Sequence, residues 1–330
     1  MKRRTWTVFL AFLLTTVFLG LALRNLSWPE MRKAFSAADV RWLWVVCCVA
    51  FFDLAVRAMR WRLILSPVAD APAAVLYRIV AIGLAANNII VARLGELGRA
   101  ALVGRRFKIS FLAALSSILV ERLCDATAVL ILFNVVAFFN AEVISARLRI
   151  VTLGILAAVL AVLAVLVFAF EALEPGGALE RRLKLLPKAH DLSVKLVTGA
   201  RALRTRAVFP IMGLSFLLWC INAMPFWLVD KAMGLHLLDF GRSLLVLTWG
   251  AAGASVPGAP GAVGTFEAAV RSGMETMGAA PPQALVYAVL VHALAYVTVT
   301  VLGLGLMYVE GISLAKFEEG AEKVSLETKR

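Results

Sequence analysis

Long apolar runs alternate with short basic stretches along the chain, and the length of each run limits what it can form. Six segments hold enough consecutive apolar residues to cross a bilayer as helices, at about 6–23, 42–65, 109–139, 150–170, 208–229 and 283–309. Two more, about 74–106 and 243–270, are apolar but interrupted. The second interruption runs Ser255-Val-Pro257-Gly258-Ala-Pro260-Gly261-Ala-Val-Gly264-Thr-Phe-Glu267, and its helix breakers and carboxylate fall where the hydropathy predicts membrane depth. The first contains Asn87-Asn88, followed by Arg93-Leu-Gly-Glu96-Leu-Gly-Arg99. Irregular backbone at such depth lines a cavity, and broken segments in matching places of two halves point to a transporter's substrate site.

Charge orients these segments. The stretch 171–206 carries Arg181, Arg182, Lys184, Lys188, Lys195, Arg201, Arg204 and Arg206 and is expected on the cytoplasmic side. With a cytoplasmic N-terminus, that loop lies inside only if the first interrupted segment enters and leaves on one face. This also keeps Arg93, Arg99, Arg105, Arg106 and Lys108 near the cytoplasm. A second re-entrant segment, entering from the outside, returns the tail 310–330 to the cytoplasmic side. The order span, re-entrant segment, span in 42–139 then recurs in opposite orientation in 208–309, joined by a connector over 150–206. The fold class expected is an all-α polytopic membrane protein, with about six full spans and two re-entrant broken-helix segments arranged as an inverted repeat in one membrane domain.

Composition agrees, with 62% hydrophobic residues and a mean hydropathy of +0.87, values that exclude a soluble globular chain. A formal charge of +13 would suggest nucleic acid in a soluble protein. Here the basic residues lie between apolar runs, so their role is topological, with anionic headgroups as the matching partner rather than nucleic acid. Met1-Lys-Arg-Arg4 before an apolar run resembles a signal peptide, but no small-x-small cleavage site follows, and an uncleaved first helix is expected. Cys47, Cys48, Cys124 and Cys220 lack metal-ligand spacing and read as small buried hydrophobes. Leu192, Leu196, Ala200 and Leu203 recur at helical spacing among basic residues, as in a helix on an anionic membrane surface or a solvated loop helix.

Several polar groups sit inside apolar runs. Glu121 and Asp125 are four residues apart and share a helix face, while Arg122 points about 100° away, toward a neighbouring element. Each ionised group at that depth costs roughly 2.5–3.5 kcal/mol unless paired or wetted, so the cluster reads either as an internal ion-pair clasp or as a cavity lining. Arg93 and Arg99 offer planar forks for phosphate or carboxylate, with Glu96 able to pair with either. Arg57-Ala-Met-Arg60-Trp61-Arg62 closes the second span, where such residues ordinarily snorkel beside a belt tryptophan, with headgroup contact as the alternative. Glu267 falls at the start of a resumed helix, where the helix dipole favours a carboxylate. Asp53, Asn222, His292 and Tyr296 read as helix-to-helix hydrogen bonds. No Gly-x4-Gly-Lys-Ser/Thr, His-Glu-x2-His or Gly-x-Ser-x-Gly motif occurs, and neither cofactor nor metal is expected.

Taken in order, Arg57-x2-Arg60-Trp61-Arg62, Asn87-Asn88 through Arg93-Leu-Gly-Glu96-Leu-Gly-Arg99, Glu121-Arg122-x2-Asp125 and Pro257-Gly-x-Pro-Gly-x2-Gly-x2-Glu267 resemble the lysylphosphatidylglycerol synthase transmembrane-region family, a flippase-like membrane domain. The resemblance covers nearly the whole chain, without the soluble aminoacyl-transferase domain that some members carry. It implies lipid translocation between leaflets of the bacterial inner membrane, without aminoacylation chemistry. The residues expected to bind the lipid are Arg60, Asn87, Asn88, Arg93, Glu96, Arg99, Glu121, Arg122, Asp125, Pro257, Gly258, Pro260, Gly261, Gly264 and Glu267. Arg93 and Arg99 are expected on an anionic headgroup, and the carboxylates as charge balance or proton carriers. Phospholipid, polyprenyl-linked and hopanoid-type lipids are all candidate cargo. A lipid-biosynthetic enzyme and a second copy of the chain are candidate partners. The competing classes are an intramembrane enzyme acting on a lipid phosphate, with Glu121, Asp125 or Glu267 as acid, base or metal ligand, and a non-catalytic scaffold.

Overall fold

In the computed structural model, the residues described are 28–90, 94–173, 194, 198–256, 260–314 and 317. The expected first span at 6–23, most of the loop 171–206, Arg93, Pro257 and Gly258 lie outside them.

Ten helices carry the described fold. A short helix, α1 (Trp28–Ser36), precedes a span, α2 (Val40–Leu65). Two half-length helices, α3 (Ala73–Ile89) and α4 (Leu94–Phe107), then lead to α5 (Phe111–Phe139) and α6 (Ala146–Leu173). After a 3₁₀ turn at Arg201–Arg204 come α7 (Val208–Ala232), two more half-length helices, α8 (Phe240–Ser255) and α9 (Thr265–Thr276), and α10 (Pro281–Val309). Among the described residues, five helices are long and apolar enough to cross a membrane, namely α2, α5, α6, α7 and α10. The chain is therefore a multi-pass all-α membrane protein. The outer face of α6 touches no protein, as expected of a helix facing acyl chains.

Each interrupted segment folds as a hairpin of two half-helices. Gly83 lies against Arg99 and Asn87 against Gly95, so the residue numbers in α3 fall as those in α4 rise. The same holds for Gly250 against Phe266 and Val270, and for Trp249 against Gly273. Close backbone approach explains the glycines, since a Cβ on Gly95 would overlap the Gly83 carbonyl and the Asn87 side chain. Both outer ends of the first hairpin reach one end of the bundle, where Arg78 Nη1 and Arg106 Nη1 lie 2.8 and 3.8 Å from Glu310.

The two halves pack on each other through reciprocal pairs of helices. Running antiparallel, α2 and α7 are joined from Asp39 N to Ala232 O (2.8 Å) at one end and from Arg60 to Ser215 (2.9 Å) near the other. Each hairpin's first helix packs on the span of the opposite half: α3 on α10 through Asn88 and Thr300 (2.8 Å), and α8 on α5 through Arg242 and Asn140 (3.4 Å).

One expectation is overturned in the connector. Ala200, Ala202 and Leu203 are buried with Trp61, Ile64 and Ile211 in the largest apolar cluster, and Gly199 abuts the Ala113 carbonyl. The end of the proposed surface helix is instead a 3₁₀ turn docked into the bundle, because α5, α2 and α7 leave an apolar notch there that small residues fill. Leu192 and Leu196 lie outside the described residues.

Candidate functional site

The spans bring the buried charges together at one level. Glu121 stands ten residues into α5, roughly 15 Å from its start. Its carboxylate faces three guanidiniums: Arg122 Nη2 at 2.7 Å, Arg99 Nη2 at 3.0 Å and Arg60 Nη2 at 3.5 Å. Asp125, one turn on, forms a two-pronged pair with Arg60, whose Nη2 lies 3.2 Å from Oδ2 and whose Nη1 bonds Oδ1 and, at 2.9 Å, Ser215 Oγ. A planar fork on a carboxylate is the pairing that best offsets desolvation of both ions. Four elements, α2, α4, α5 and α7, are joined by this network.

One side of the network is open. Arg122 is 40% exposed at its side chain, and its Nε lies 3.4 Å from Glu96 of α4, itself 32% exposed. Beside it, Arg57 Nε pairs with Asp53 at 2.7 Å, and Asn222 of α7 donates to Asp53 at 2.8 Å. Around Glu121 and Asp125, then, a buried ion-pair core grades into a polar rim carried by α2, α4, α5 and α7.

The hairpin tips meet at a second site. Asn87 Oδ1 accepts from Gly95 N at 2.8 Å and fastens α3 to α4 across the first break. Asn88 donates to Thr300 of α10, and its carbonyl accepts from Tyr296 Oη at 3.0 Å. Against that same tyrosine ring packs Gly261, in the turn Pro260–Ala262 of the second break, with φ of 67°. Glu267 is the third residue of α9; its Oε2 accepts from Gly264 N at 2.6 Å and its Oε1 lies 2.7 Å from His292 Nδ1 of α10. Phe266 stacks on the His292 ring with centroids 4.4 Å apart.

Of the residues expected at the site, Arg60, Glu96, Arg99, Glu121, Arg122 and Asp125 converge on the ion-pair network, while Asn88, Pro260, Gly261, Gly264 and Glu267 gather at the meeting of the tips. Asn87 braces the first hairpin. Two expectations require correction. Arg60 and Trp61 do not snorkel to an interface; both are fully buried, because the first hairpin covers that flank of α2. Glu96 pairs with Arg122 rather than with Arg99, whose guanidinium turns to Glu121 and lies 4.3 Å from the Trp61 ring centroid. Arg122 does reach a neighbouring element, as its angular offset from Glu121 requires.

Sequence reading missed Ser215 as an acceptor for Arg60, and Phe317, which fills the space above Gly98. A serine within an apolar span gives little signal, since it also bonds its own helix, here the Ile211 carbonyl at 2.9 Å.

Comparison with curated proteins and with solved structures gives no significant match. The family description "Lysylphosphatidylglycerol synthase TM region" matches residues 8–303, a range that contains both hairpins, the ion-pair network and the Glu267–His292 pair. The chain therefore belongs to the lysylphosphatidylglycerol synthase transmembrane-region family.

Proposed function

We propose that this protein is a lipid translocase of the bacterial inner membrane that passes a polar or anionic headgroup between leaflets through the junction of its two hairpins. The observation that carries this reading is the polar rim beside the ion-pair core: Arg122 and Glu96 are accessible at a depth where lone charges are costly. The Nε donors of Arg60 and Arg99 add to it, since they are buried and have no hydrogen-bond partner among the described residues. Phosphate oxygens are acceptors suited to such donors. In this reading each hairpin is re-entrant, and the meeting of the tips is the point that must part to let a headgroup through.

Orientation follows the basic residues. Arg62, Arg78, Arg105, Arg106 and Lys108 cluster toward the end of the bundle that also holds Glu310, the partner of Arg78 and Arg106, and we assign that end to the cytoplasm together with both termini.

The test is reconstitution into liposomes containing fluorescent phosphatidylglycerol or phosphatidylcholine, with dithionite quenching of the outer leaflet. Wild type should exchange the anionic lipid faster, and Arg122→Ala, assayed below its own melting temperature, should remove that preference. If Arg122→Ala exchanges both lipids like wild type, the rim is not the headgroup site. No exchange by wild type would remove the translocation reading.

A further inference from the structure

The two halves carry the same contact with different chemistry. Glu96 is the third residue of α4 and meets Arg122, the twelfth residue of α5. Glu267 is the third residue of α9 and meets His292, the twelfth residue of α10. In each repeat, then, a carboxylate on the second half-helix of the hairpin is tied to a cation-capable side chain at the same register of the following span. Arginine keeps its proton at any accessible pH, whereas an imidazole gains or loses one between about pH 5 and 8.

We propose that Glu267 and His292 form the coupling-proton site of the protein, loading and releasing one proton while the Glu96–Arg122 pair stays charged. This rests on the translocation reading. With Glu267 ionised, the Nδ1 proton of His292 is donated to Oε1, and Oε2 is held by Gly264 N. The second ring nitrogen takes up the incoming proton, which converts a neutral imidazole beside a carboxylate into a full ion pair. That change strengthens the tie between α9 and α10 next to Tyr296, the residue on which both tips converge. Loss of the proton weakens the tie. Proton occupancy thus biases whether the second tip stays seated on the first.

The other titratable groups near the pair are already committed. On α10, Tyr296 donates to Asn88 and Tyr287 donates to the Phe226 carbonyl. Arg271 and Glu275, further along α9, pair with each other at 2.7 Å. From α8 come Gly250 and Gly253, and its one titratable residue, Arg242, is engaged at the far end. On α3, Arg78 is bound to Glu310; on α2, Arg57 to Asp53; and on α7, Asp230 accepts from Leu237 N. The short helix α1 also packs on α10 and brings Lys33 beside Pro282 and Gln283, at the start of that span. The groups named on the other elements are paired, in contrast to the first repeat, where three arginines crowd one carboxylate.

Two measurements on the purified full chain test this. The sequence has three histidines, so ¹⁵N-histidine NMR with His292→Gln as the assignment control reads His292 directly. The ¹⁵N shifts of its ring should change with pH in wild type and change differently in Glu267→Gln. In proteoliposomes holding fluorescent phosphatidylglycerol, a one-unit pH gradient should drive the lipid toward one leaflet by up to about tenfold for one proton per lipid. In His292→Arg, which keeps the second pair charged as in the first repeat, exchange should slow because the tips stay seated, and the exchange that remains should not respond to the gradient. A His292 ring that does not titrate, or wild-type exchange indifferent to the gradient, would overturn the coupling and leave translocation standing. Absence of exchange in wild type would remove translocation and the coupling with it.

Discussion

Arg99 and Trp61 hold each other in the interior: the guanidinium sits 4.3 Å from the centre of the indole, and both side chains are fully buried. The indole in turn donates to Ser117 at 3.0 Å, so α2, α4 and α5 share one contact. A desolvated cation over an indole face contributes about 2 kcal/mol. Trp61→Leu is expected to lose this together with packing and to lower the melting temperature in detergent sharply. Trp61→Phe retains a ring and loses chiefly the Ser117 bond, about 1 kcal/mol. Equal melting temperatures for the two variants would show that the indole face does not hold Arg99.

The Arg60–Asp125 pair makes an asymmetric prediction. Asp125→Ala leaves the buried Arg60 facing Glu121 alone and should cost about 3–5 kcal/mol, the usual result of stranding one member of a buried pair. Replacing both, Arg60→Met with Asp125→Leu, should recover most of that stability, because neither charge then remains to be desolvated. Thermal unfolding followed by tryptophan fluorescence compares them. A double variant as unstable as the single one would mean that the pair is needed for packing and not only for charge compensation.

At the second tip, Gly261 has φ of 67° and touches Tyr296. Gly261→Ala meets both a strained backbone, roughly 1–3 kcal/mol, and an overlap with the tyrosine ring. Tyr296→Phe forfeits only the bond to the Asn88 carbonyl, about 1 kcal/mol. The glycine variant should therefore be the less stable and the slower in lipid exchange. Tolerance of Gly261→Ala on both counts would indicate that the tips are not in close contact in the working protein.

Phe317 is buried against Gly98, Ile82, Ile90 and Met307. Removing its ring discards a contact worth about 3–5 kcal/mol in a packed core, enough to undock the segment that begins at Glu310. Limited proteolysis should cut Phe317→Ala after Ile312 much faster than wild type, with the unfolding of the spans unchanged. Identical cleavage rates would place the anchor elsewhere.

Much of this architecture is written in the hydrophobic pattern. The five described spans begin and end within four residues of the apolar runs, and Pro260, Gly261 and the Asn87-Asn88 pair mark the hairpin tips because breakers have few other reasons to sit among apolar neighbours. Burial of Arg60 and Trp61 was not legible. They stand close to the end of α2, where an arginine beside a tryptophan ordinarily reaches the interface, and only the docked first hairpin turns that flank inward. Pair identities were equally hidden. Glu96 has three arginines within reach in sequence or space, and its choice of Arg122 follows from the rotation of α5. His292 was legible as a hydrogen-bonding residue, but not its partner Glu267, because the two meet only through the packing of α9 on α10.

Charge cancels in the ion-pair network: Arg57, Arg60, Arg99 and Arg122 face Asp53, Glu96, Glu121 and Asp125. A transmembrane voltage is worth about 2.3 kcal/mol per elementary charge at 100 mV, yet it exerts no net force on a set of eight charges that sums to zero. The network is electrically silent as a body. A resting cell's potential therefore exerts no net pull on these side chains, however deep in the membrane they stand.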